Sequence, residues 1–343
     1  MTEQGDFHLW GSNEQGQLGC TSESSQTDSI PLIPPLKVKV EYAALGHNHT
    51  LVIEKETGDL YCFGENKRGQ VTGIPMTPEF LAEPFKIEVG EKVTHVACGV
   101  FHSAAITVSG TLITFGCTRF NQSISFYEES MSGDGVKYPL IGRWMPGDGS
   151  RLVKVSCGHR HTLALDEHGR VWSLGNNKYG QLGRRETDRT EEPGLVSGYL
   201  GQKGSGCIDI DCGWSHNIAL VQSIESESVI YGWGRNDRSQ LGIDCEDKVF
   251  DEPRLLYKHL QGKIIKNTTC GAESIMLQDE DGQIYGSGWN EHGNLSTGDA
   301  VNVQEIRKLS GDVRRGVPDL LDNGDNRNLI LAAGGAHFLL MRT

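Results

Sequence analysis

Residues 152–183 read LVKVSCGHRHTLALDEHGRVWSLGNNKYGQLG, and this stretch decides the fold. Leu152–Ser156 is a short run with β-branched residues that leads into a turn at Gly158. His161–Leu165 is a second apolar run, Asp166-Glu167-His168-Gly169 has the composition of a hairpin turn, and Arg170–Leu174 is a third run. One signature is a small residue, Gly, two variable residues and His. The other is an aromatic or small residue, a glycine, then often asparagine and a second glycine. Such a unit is a small antiparallel meander, and it cannot bury both of its faces alone.

Both signatures recur. The second is found as Trp10-Gly11-Ser12-Asn13, Phe63-Gly64-Glu65-Asn66, Phe115-Gly116-Cys117-Thr118, Leu174-Gly175-Asn176-Asn177, Trp233-Gly234-Arg235-Asn236 and Ser287-Gly288-Trp289-Asn290, at intervals of 52 to 59 residues. The first is found at Gly46…His49, Gly99…His102, Gly158…His161, Gly213…His216 and Gly334…His337, with a degenerate copy at Gly271…Ser274. Six copies of each, in strict alternation, predict an all-β chain: a closed β-propeller of four-stranded antiparallel blades forming one domain over residues 1–343. Radial stacking covers the faces of each meander and leaves only short edges. The half at Gly11 has no partner before it and the half at Gly334 none after it, so both termini are expected to close a sixth and last blade. Seven blades, one of them degenerate, is the alternative.

Composition bounds the function. Glycine makes up 44 of 343 residues, an excess that many tight turns require. A net charge of −13 lacks the positive footprint of a protein that grips phosphates, so no direct nucleic-acid partner is expected. Nine cysteines cannot all pair within one chain. Met1–Trp10 is polar and acidic, unlike a signal peptide, and the apolar runs are strand-sized, well short of a membrane span. These features predict a reduced, intracellular, soluble protein with a cytoplasmic location, a nuclear share being compatible.

Little here points to catalysis. Five histidines at one repeat position lie on different blades, which fits imidazoles that each fix their own turn rather than a metal set. Cys98, Cys157, Cys212 and Cys270 immediately precede the repeat glycine, where other units have Leu45 and Ala333, as small apolar packing residues would. Asp279-Glu280-Asp281-Gly282 lacks the ligand alternation of a calcium loop and reads as a hairpin turn. No phosphate-binding loop or nucleophile elbow is present. The expectation is a non-enzymatic protein with no catalytic residues, no metal and no cofactor.

Function is sought where the repeat breaks its own length. From Gly116 to Gly158 is 42 residues, whereas the corresponding steps from Gly11 to Gly46 and from Gly64 to Gly99 take 35. The excess carries Arg119, Phe120, Phe126, Tyr127, Tyr138, Arg143 and Trp144, the composition of an interface hot spot. A loop folded over its own blade is the competing explanation. A second irregular stretch, Asp299–Asn328, carries Arg307, Lys308, Arg314 and Arg315, and suits an acidic partner or a merely solvated loop.

The two signatures, with the Gly-Gln-Leu-Gly tails at 16–19 and 180–183 and the variant Ser239-Gln240-Leu241-Gly242, resemble the regulator-of-chromosome-condensation repeat family over about residues 7–342. Members of that family usually have seven blades, against the six counted here. Gly288-Trp289-Asn290-Glu291-His292-Gly293-Asn294 is similar to the last repeat of the fungal alpha-tubulin suppressor and secretion-regulating exchange-factor-like subgroups. The former resemblance implies a partner that is a small metal-binding factor serving Elongator-dependent tRNA modification and diphthamide synthesis. The wider family implies an alternative, guanine-nucleotide exchange on a small GTPase. Photoreceptor members use clustered tryptophans, but only Trp214 here stands in a Gly-Trp-x-His context.

Overall fold

The computed structural model describes residues 8–21, 26–32, 36, 38–73, 79–124, 141–185, 192–197, 206–222, 228–256, 263–309, 329–333 and 338–342. All regular structure among them is β-strand. Backbone contacts divide the chain into two compact units. One comprises residues 1–167, 174–176 and 190–192, and the other residues 168–173, 177–189 and 193–343.

Five sheets have four antiparallel strands each, laid down in chain order. The first two are β3 (Val40–Leu45), β4 (His49–Glu54), β5 (Leu60–Glu65) and β6 (Phe80–Ile87), then β7 (Val93–Cys98), β8 (His102–Thr107), β9 (Leu112–Gly116) and β10 (Gly142–Trp144). The third is β11 (Leu152–Cys157), β12 (His161–Asp166), β13 (Val171–Gly175) and β14 (Gly194–Leu195). The last two are β15 (Gly206–Cys212), β16 (His216–Gln222), β17 (Ser228–Arg235) and β18 (Val249–Leu255), then β19 (Ile265–Cys270), β20 (Ser274–Asp279), β21 (Ile284–Gly288) and β22 (Val303–Lys308). Near the chain ends, β1 (Leu9–Ser12) pairs with β2 (Gln26–Leu32), and β23 (Leu329–Ala333) pairs with β24 (Phe338–Arg342), as two-stranded sheets.

The second strand of each four-stranded sheet is almost wholly buried, which explains its near-continuous apolar sequence: HTLVIE in β4, HSAAIT in β8, HTLALD in β12. Outer strands alternate or lie open, as β6 and β22 do. In the first unit Leu51, Ile53, Val96, Ala105 and Phe115 join residues of adjacent sheets in one core. In the second, Ile218, Leu241, Phe250, Ile275 and Leu277 do the same.

Two glycines show why the signatures travel together. A Cβ on Gly46 would stand 2.5 Å from His49 Cε1, so the imidazole fills the space that a side chain would take. Gly64 has φ +107°, and its added Cβ would meet His49 Cα at 2.6 Å. Both signature glycines therefore pack against one histidine.

Part of each irregular stretch is regular. Arg143 and Trp144 lie in β10, where Trp144 stands opposite Leu112. Arg307 and Lys308 lie in β22, opposite Gly286 and Tyr285, beyond a break in register between Gly286 and Gly288. A bulge disrupts the two-residue alternation, so the strand does not show in the sequence.

Candidate protein-binding surface

The repeated histidines are enclosed, and two of them tie neighbouring sheets. His49, His102, His161 and His216 are buried. His49 Nε2 lies 3.0 Å from Ser103 Oγ, and His102 Nε2 lies 3.0 Å from Thr162 Oγ1, each reaching the neighbouring sheet. Ser103 Oγ donates to Gln70 O (2.6 Å) and Thr162 Oγ1 to Gln122 O (3.0 Å), so each hydroxyl accepts from an Nε2–H. The neutral tautomer follows. Burial pushes the pKa of His49 down to about 4; burial, with His161 and His49 nearby, pushes that of His102 down to about 3. An imidazole that stays neutral and enclosed is poorly placed for proton transfer to a substrate. The Gly334…His337 copy lies outside the described residues.

Three of the cysteines before the repeat glycines are thiols held far from ionisation. Burial raises Cys98 and Cys270 well above the ordinary value and Cys157 to about 12. No group of three or more His, Cys, Asp or Glu among the described residues is arranged to hold a metal ion.

The same ties organise one end of the sheets. In the turn after the second signature, a glutamine side chain accepts from the backbone two residues earlier: Gln70 from Arg68 (2.8 Å), Gln122 from Phe120 (2.8 Å), Gln181 from Tyr179 (2.7 Å) and Gln240 from Arg238 (2.9 Å). The main-chain carbonyl of the glutamine is held by the next sheet, at Ser103 for Gln70, Thr162 for Gln122 and Asn217 for Gln181, so each of these turns stands against that sheet.

In the first unit this brings Arg119 and Phe120 to Arg160. Both guanidinium carbons lie over the Phe120 ring, at 5.5 and 4.5 Å from its centroid. In the second unit Arg235 lies over Tyr179 at 5.1 Å and pairs with Asp237 (2.6 Å) and Glu273 (2.8 Å). Arg238 joins Glu273 (3.2 Å) to Glu291 (2.7 Å). Trp214 is 43% exposed.

Of the residues expected at the partner site, Arg119 is exposed and Phe120 half-buried in this turn. Arg143, in β10, donates from Nη2 to Val89 O, tying it to its own sheet's surroundings. Arg307 lies on β22 beside an open groove of about 900 Å³ that Asp244, Tyr285, Asp299, Val301 and Glu305 also line. Phe126, Tyr127, Tyr138, Arg314 and Arg315 lie outside the described residues. Arg160, Tyr179, Trp214, Arg235 and Arg238 escaped the search by loop length because they sit inside the repeats. Their signal was the choice of charged and aromatic residues at the variable positions of both signatures.

Repeated four-stranded antiparallel meanders with buried histidines at one repeat position define a class of repeat β-fold. The chain belongs to the RCC1-like domain family, whose description matches residues 1–341. It is 29% identical over its whole length to human (Homo sapiens) E3 ubiquitin-protein ligase HERC2, and spans 7% of that protein. It is 30% identical to the Danio rerio Protein RCC2 homolog over 91% of the chain, and spans 64% of that relative. With Arabidopsis thaliana Ultraviolet-B receptor UVR8 it shares 30% identity, covering 90% of this chain and 69% of the receptor. Among solved structures, Prp20p from Saccharomyces cerevisiae, described with its binding properties to Gsp1p and histones, matches with TM-score 0.75 at 22% identity, over 100% of this chain and 80% of that one.

Proposed function

We propose that the chain is a non-enzymatic protein-binding propeller that regulates a small GTPase. The observation that carries this is the clustering of arginine and aromatic side chains on turns in each unit, Arg119, Phe120 and Arg160 in the first and Tyr179, Arg235 and Arg238 in the second. Prp20p, with the same fold, binds Gsp1p and histones, which supports a protein as the partner. An exchange factor of this kind needs no catalytic side chain. It binds the nucleotide-free GTPase better than the loaded one, and the differential contact drives nucleotide release.

The second reading is pairing with a small metal-binding factor of tRNA modification and diphthamide synthesis, and it rests on the resemblance of residues 288–294. Affinity purification of the full chain with mass spectrometry separates the two. Recovery of a GTPase whose nucleotide release the chain accelerates supports the first; recovery of a zinc-binding diphthamide factor supports the second instead.

As to architecture, we propose six blades in one domain, the last closed by both termini. The two-stranded sheets β1–β2 and β23–β24 near opposite chain ends support it, since each has half the strands of the others. Deleting residues 1–20 is then expected to destabilise the whole fold, and a truncated chain that melts like the full one would sink the closure.

A further inference from the structure

The turn end of the first unit is basic within an acidic protein. Lys67 and Arg68 occupy one turn, Arg119 the next, and His159 and Arg160 the Gly-x-x-His turn that follows. The carboxylates of the described turns there are Glu14, exposed in the turn after Gly11, Glu65, buried and engaged by Asn48 (3.3 Å) and Lys67 (3.6 Å), and Glu79, which also meets Lys67 (3.6 Å). Among the described residues Arg68, Arg119 and Arg160 make no ion pair. Two like-charged guanidinium groups nevertheless gather over one phenyl ring, which orients them and leaves their donor forks available. The positive potential registers locally: the pKa of His159 is lowered by burial first, then by Arg160 and His47. The second unit differs, because its Arg235 and Arg238 are already neutralised by Asp237, Glu273 and Glu291.

We propose that Arg119 and Arg160, stacked on Phe120, dock an acidic segment of a partner protein. A carboxylate can accept two parallel N–H bonds from each guanidinium and relieves the repulsion between the pair. A peptide is favoured over nucleic acid because the net charge of −13 repels an extended polyphosphate beyond the patch, whereas a short acidic segment can end within it. The inference rests on the protein-binding reading above and adds the chemistry of the partner.

The test is fluorescence anisotropy of labelled decaglutamate titrated with the full chain at low and at physiological salt. Binding that weakens with salt, and falls tenfold or more in the Arg119→Glu/Arg160→Glu variant, is expected. Arg254→Glu, which alters a guanidinium lying over Phe250 elsewhere, is expected to leave it unchanged. If the charge reversal prevents folding, Arg119→Gln/Arg160→Gln keeps side-chain length and removes the charge. Absence of binding overturns the proposal, as does equal loss in Arg254→Glu or tighter binding of an oligothymidylate of equal charge. Partner capture that persists in the double variant refutes this docking site alone; no protein captured by the native chain refutes the protein-binding reading itself.

Discussion

His49 Nε2 and Ser103 Oγ, 54 positions apart in sequence, meet at 3.0 Å in the buried space between two sheets. The same hydroxyl donates to Gln70 O, so one serine joins a histidine tie to a glutamine turn. The relation repeats at His102, Thr162 and Gln122. It ceases at the degenerate copy, where Ser274 replaces the histidine and buried Ile275 follows it in place of a hydroxyl or amide residue.

Ser103→Ala leaves the His49 N–H and the Gln70 carbonyl without this partner in a buried site. A loss of about 1–3 kcal/mol of stability is expected. Urea denaturation of native and variant chains measures it, and an unchanged midpoint would show the tie to be energetically idle.

Gly46→Ala places a methyl group 2.5 Å from His49 Cε1 and 2.8 Å from Gly99 O. The ring is enclosed and the carbonyl belongs to the backbone, so neither can withdraw cheaply. Destabilisation of about 3 kcal/mol or more is expected, seen as a lowered melting temperature or loss of soluble protein.

Acid should weaken the fold before the carboxylates titrate. His49 and His102 are held at about 4 and about 3, below the ordinary histidine value near 6.5. Between those limits the unfolded chain binds the protons, so stability is full above ~6.5 and falls as pH drops toward 4 and then 3. Each histidine contributes a slope of about 1 kcal/mol per pH unit. Urea midpoints at pH 7 and pH 5 check the sign: equal midpoints would mean that the two rings protonate freely in the fold.

The long segment after Gly116 separates binding from folding. Of Trp144→Ala, Arg143→Ala and Tyr127→Ala, at least one is expected to weaken partner binding by about thirtyfold, ~2 kcal/mol, while the melting temperature barely moves. Placement of Trp144 in β10 makes the alternative concrete: a side chain packed on its own sheet lowers stability first. Affinity and melting measured on the same three proteins decide, and normal binding in all of them moves the site to Arg307 and its neighbours on β22.

Strands that carry a signature were legible to within about a residue. The run read as Leu152–Ser156 is strand Leu152–Cys157, and that read as His161–Leu165 is strand His161–Asp166. Outer strands were not, because β22 pairs across a register break and β10 has only three residues at the end of a long connection. The candidate surface was half legible. Loop length pointed to Arg119 and Phe120, but gave no reason to choose Arg160, which reaches the same ring from 40 residues away.

By itself the sequence determined the repeat, its meander and the family, because glycines and histidines at fixed offsets obey local backbone sterics that any reader of the chain can apply. Only the tertiary structure decided what those residues hold and what the variable ones meet. The partner of His49 is a hydroxyl in the next sheet, and Phe120 is shared by two arginines from different turns. Contacts of that kind depend on how sheets stack across fifty-odd residues, a distance over which spacing along the chain carries no geometry.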